Sequence, residues 1–165
     1  MRKTTGIAIT MATAAGIGLL SGLAASIAKA EDASARAAYA DIQKTLGSVP
    51  GFFKQFPESG IAGAWAEFKS VQLNPNTALS VKTKELIGLA VAAQIPCQYC
   101  VYFHTAVAKA NGASDEEIRE AVAMAAISRH WSTVLNGMAI DLATFKHETD
   151  TVLGMAAEKA KTAKK

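Results

Sequence analysis

Nowhere in the 165 residues do Val, Ile, Thr and aromatic side chains alternate between paired turns, so the sequence carries no strand signature and a sheet is excluded. It also lacks internal repeats and low-complexity linkers. Cysteine is scarce, with only Cys97 and Cys100, and neither a second C-x-x-C nor an H-x-H occurs anywhere. A structural zinc knuckle would therefore be missing its second ligand pair. No charge falls between Thr4 and Ile27, and neither a twin arginine nor a lipobox cysteine accompanies that run.

The charge-free run is explained by what surrounds it. "MRK" precedes it and "AKA", Ala28 to Ala30, follows, the pattern of a secretory signal peptide over residues 1–30 with cleavage before Glu31. A second small-residue site, "ASA" at Ala33 to Ala35, leaves the cut open by about five residues. The expected address is periplasmic or secreted, by the general route, with no stable membrane association after cleavage. That compartment is oxidising. Cleavage takes Arg2, Lys3 and Lys29 from 17 basic residues and leaves 14 against 14 acids, so the mature chain is neutral. Four lysines crowd the tail at Lys159, Lys161, Lys164 and Lys165, leaving a mildly acidic body with no surface for tracking phosphates, and no nucleic-acid partner is expected. Residues 31–165 fit one domain.

What remains is helical throughout. "EDASARAAYADIQKTLG" opens on acids and closes on Gly47, with Pro50 just beyond. "PESGIAGAWAEFKSVQLNP" places Pro57 near the first helical position and Ile61, Trp65, Phe68 and Leu73 on one apolar stripe. "LSVKTKELIGLAVAAQI" takes Ser80 as N-cap and is almost wholly apolar after Glu85, as a central buried helix is. Pro96 interrupts it. The chain restarts as "CQYCVYFHTAVAKANG", which Gly112 ends, and Ser114 with Glu117 forms a capping box for the next helix. One or two further helices follow, with a break near Asn136-Gly137. The expected fold is all-α, a single-domain helical bundle around an αα-hairpin.

The hairpin carries the chemistry. On a helix, positions 97, 100 and 104 lie on one face, so both sulfurs and the His104 imidazole can meet. Cys97 in the first turn is favoured as a thiolate by unpaired N–H groups and the helix dipole. His104 supplies a base next to Cys100. Glu85 is the only ionisable residue between Lys84 and Cys97, either at a wet helix end or held in apolar surroundings for a task. Three uses of the cysteines stay open on the residues alone. A disulfide staple would close a very short loop and stabilise little. A metal clip would draw on Cys97, Cys100, His104 and Glu85. A redox pair would cycle between dithiol and disulfide.

Glu85, eleven residues, Cys97, two residues, Cys100, three residues, His104: this string resembles the active-site signature of the AhpD-like alkylhydroperoxidases of the carboxymuconolactone decarboxylase family. "ANGASDEEIREAVAMAA", residues 110–126, is similar to the hairpin that follows the motif, and the likeness covers about residues 55–145. It implies a helical protomer in a homo-oligomer, a trimer or hexamer, that reduces hydrogen peroxide or organic hydroperoxides with electrons from a thiol or dithiol reductant. By the same resemblance Cys100 is the peroxidatic thiolate, Cys97 the resolving partner, and Glu85 with His104 the proton relay, with no cofactor or metal. Family peroxidases carry a histidine before the second cysteine where this chain has Tyr99, and a phenol does not exchange protons near neutrality as imidazole does. Cytosolic relatives draw on a lipoyl-type adaptor, which an exported protein would not meet. The alternatives are a thiol–disulfide exchange protein, a carboxymuconolactone decarboxylase-like enzyme and a metal-binding subunit.

Overall fold

The computed structural model describes residues 15–162 of the backbone. Six α-helices and no strand occur among them: α1 Ala15–Leu46, α2 Glu58–Glu67, α3 Val81–Gln94, α4 Gln98–Ala110, α5 Asp115–Gly137 and α6 Leu142–Thr162. The all-α class is the one the sequence implied. The chain divides between Asn74 and Pro75 into two compact units.

In the first unit α1 packs on α2. Ala35, Ala38 and Ile42 recur at helical spacing along α1 and bury against Phe53, Ile61 and Trp65. Trp65 stands edge-on to Phe53 and stacks on Phe68, and its indole Nε1 donates to Asp41 Oδ2 at 2.6 Å. Lys69 Nζ donates to the same carboxylate. Gly47, at φ +80°, ends α1 in the left-handed region that glycine occupies without strain. Two short pieces have no sequence signal: a 3₁₀ turn over Gly51–Gln55 and a π-helical turn over Phe68–Gln72 that underwinds the end of α2. Pro57 is the N-cap of α2 and not its first helical residue.

The residues of the proposed leader before Ala15 lie outside the described residues, as do Lys164 and Lys165. Residues 15–30 continue α1 without interruption. Among the described residues no helix is long and apolar enough to cross a membrane.

The second unit is built on α3, which packs against both α4 and α5. Ser80 caps α3, its side chain accepting from Thr83 N–H at 3.1 Å. Gly112, at φ +84°, turns the chain after α4, and Ser114 and Glu117 close the capping box of α5. Lys82 Nζ meets Glu117 Oε1 at 2.8 Å and so ties the start of α3 to the start of α5. At the other end of α3, Gln94 donates to the carbonyl of Ala125, and Arg129 Nε donates to Gln94 Oε1 at 2.8 Å. The break expected near Asn136-Gly137 is the end of α5, and Ala139 turns the corner at φ +49°.

Candidate active site

The site is assembled across the α3–α4 hairpin. Glu85, Leu89 and Ala92 are the buried residues of α3, spaced so that all three face inward. Glu85 is 0% exposed. It therefore stands in apolar surroundings, not at a wet helix end. A buried carboxylate is tolerated only when its oxygens are hydrogen-bonded, and among the described residues no buried side-chain oxygen or nitrogen lacks a partner.

One partner is His104. Its Nδ1 lies 2.7 Å from Glu85 Oε2, and its side chain is 19% exposed. An ionised carboxylate only accepts hydrogen bonds, so with Glu85 ionised the proton of that bond sits on Nδ1. Nε2 then carries the lone pair, and His104 is oriented as a base through Nε2.

Cys97 and Cys100 form a disulfide, with their Cα atoms 5.3 Å apart. α4 begins at Gln98, which makes Cys97 its N-cap, one position outside the first turn where the sequence pattern puts it. Pro96 ends the preceding segment, and Cys97 N–H bonds back to the Ala92 carbonyl at 3.1 Å. The Cys97 sulfur accepts from Cys100 N–H at 3.2 Å, the bond a serine or aspartate oxygen makes at an ordinary N-cap. As a free thiolate it would be stabilised by the same donor. Both cysteines are half-buried. The structure thus joins the four residues in two pairs, Cys97 with Cys100 and Glu85 with His104, and one turn of α4 carries the chain from Cys100 to His104. Tyr99, between the cysteines, is 79% exposed.

Among the described residues no cluster of three or more His, Cys, Asp or Glu is placed to hold a metal ion. Cys97 and Cys100 are bonded to each other, which takes both thiolates out of a ligand set.

One residue of the site escapes the motif. Gly88 lies three residues after Glu85 on α3, and its Cα faces the imidazole of His104. The signal is a glycine inside an otherwise strong helix, where alanine is favoured by about 1 kcal/mol. Without the tertiary contact nothing says why it is there.

Comparison with known proteins identifies the family and the fold. Residues 60–142 match the model of the carboxymuconolactone decarboxylase family. The fold is similar to the crystal structure of an alkylhydroperoxidase AhpD core from Rhodospirillum rubrum, with a TM-score of 0.59 and 25% sequence identity over 83% of this chain and 95% of the other. A stretch of 52 residues is 42% identical to an uncharacterized protein in the cox locus of Paracoccus denitrificans, covering 32% of this chain. The match spans about half of that relative, 47% of its length.

Proposed function

The chain belongs to the carboxymuconolactone decarboxylase family, and on that premise we propose that it is an exported thiol-dependent peroxidase acting on hydrogen peroxide or organic hydroperoxides. One observation carries the reading: two sulfurs paired at the start of α4, one turn ahead of an imidazole bonded to a buried carboxylate. The family and the AhpD-like fold support a peroxidase-like or a decarboxylase-like role. The Cys97–Cys100 disulfide favours the former, because decarboxylation has no use for a redox pair.

The chemistry starts from the dithiol. His104 takes the Cys100 thiol proton through Nε2 while Glu85 holds the ring. The Cys100 thiolate attacks a peroxide oxygen, so an S–O bond forms and the O–O bond breaks. The leaving alkoxide or hydroxide receives the proton from His104 and departs as alcohol or water. Cys97 then attacks the Cys100 sulfenic acid, water leaves, and the disulfide closes. Two thiols have given two electrons to one peroxide. A thiol or dithiol reductant reopens the bond by exchange at Cys97 and is itself oxidised to a disulfide.

Export fits the first unit. Every described side chain of α1 up to Ala30 is exposed, while Ala35, Ala38 and Ile42 are buried. Cleavage after Ala30 removes none of these core side chains, whereas cleavage after Ala35 removes one that is 2% exposed. A cut before Glu31 thus leaves the buried side chains of α1 in place, which supports that position over the one after Ala35. Intact-mass analysis of exported protein should return a chain starting at Glu31.

A second reading, thiol–disulfide exchange, draws on the exposed Tyr99, since a phenol at this position supplies no second imidazole beside Cys100. Thiol titration separates the two. Reduced protein mixed with one equivalent of an organic hydroperoxide should lose both thiols. Retention of both thiols, with ready exchange against protein disulfides, would replace peroxidase by exchange.

A further inference from the structure

We infer that Gly88 is a positioning residue for the Glu85–His104 pair, a gap in α3 that receives the imidazole. A Cβ at position 88 would lie 2.5 Å from His104 Nδ1, 2.8 Å from Nε2, and closer still to Cε1 between them. All three atoms belong to the edge of the ring that does the chemistry. Ordinary contact begins near about 3.5 Å, so any side chain at 88 drives the ring back by about 1 Å.

The ring cannot retreat and keep its partner. Its Nδ1 is 2.7 Å from Glu85 Oε2, and a further 1 Å or so takes that distance beyond hydrogen-bonding range. Glu85 cannot follow, because its carboxylate is buried in the body of α3. Residues 85 and 88 are one turn apart on the same helical face. The carboxylate and the gap therefore act together: one fixes the ring's nitrogen, the other admits its edge. The glycine conformation is helical, so the need is for space and not for an unusual φ.

Gly88→Ala isolates this role, because alanine is the better helix former and stabilises an ordinary helix interior. In otherwise unaltered protein, Gly88→Ala should abolish the hydrogen-bonded Nδ1 proton resonance of His104 and shift the pH titration of that ring. It should also lower Tm while leaving the Cys97–Cys100 disulfide able to form. In a His104→Ala background the obstacle is gone, and the same Gly88→Ala change should raise Tm. Peroxide turnover of Gly88→Ala should fall about tenfold to a hundredfold, the cost of a misplacement of about 1 Å. Only this last readout rests on the peroxidase reading; a parent protein that consumes no peroxide overturns that reading and leaves resonance and Tm to decide on Gly88. An unchanged His104 resonance, or a Tm change of the same sign and size in both backgrounds, would overturn the positioning role.

Discussion

Cys100, Cys97, His104 and Glu85 should fail in different ways when replaced one at a time. Cys100→Ser removes the nucleophile, so the first turnover vanishes. Cys97→Ser leaves attack intact but strands a sulfenic acid on Cys100, visible as a mass gain of one oxygen and prone to over-oxidation. If the N-cap sulfur were instead the attacking one, the sulfenate would appear on Cys97 in Cys100→Ser protein. His104→Ala and Glu85→Gln keep both sulfurs and weaken proton transfer, for a loss of about a hundredfold with a displaced pH–rate profile. Glu85 and Gly88 show what sequence discloses at this scale. A lone acid in an apolar run announces itself, and its spacing to the cysteines is unusual enough to identify. That its carboxylate is fully buried and bonded to His104, nineteen positions on, needs α3 and α4 folded against each other. Gly88 is legible only from the ring that lies over it.

Helix ends were the most legible elements, because capping is local chemistry. Ser80, Ser114, Gly47 and Gly112 end or begin helices for reasons contained within four or five residues. Removing the Ser114 hydroxyl with Ser114→Ala should cost about 1 kcal/mol, measurable by denaturant unfolding. The 3₁₀ and π turns were not legible, since they answer to packing around Phe53 and Phe68 rather than to local propensity. The α3–α5 tie has a pH signature. Lys82 first, and then the Ser114 backbone N–H, hold Glu117 below its ordinary value of 4.5. A depressed carboxylate contributes stability that is present above its unfolded value and lost as pH falls through the folded one. Tm should therefore decline on acidification below about 4.5, and Glu117→Gln should flatten part of that decline while lowering Tm at neutral pH.

At the scale of the whole molecule, the second unit leaves many apolar side chains in solvent. Ile87 and Val91 on α3, Ile95 at its C-cap, Met124, Ile127 and Trp131 on α5, and Leu142, Phe145, Val152, Leu153 and Met155 on α6 are all exposed. Such surface is usually covered by another subunit, and cyclic symmetry is the usual form. We propose a homo-oligomer, a trimer or hexamer, whose mass light scattering should return at micromolar concentration; a monomer would remove that reading. Half of the residues are hydrophobic, more than one small bundle hides, but which faces carry the surplus emerges only once the hairpins are formed. The two cysteines also bear on how the protein matures. Four cysteines can pair in three ways and six in fifteen, and the correct set must then be found by reshuffling. Two sulfurs at the head of a single helix have only one intramolecular solution. Oxidative maturation thus calls for an electron acceptor but no isomerase, and the only wrong pairing available is between separate chains.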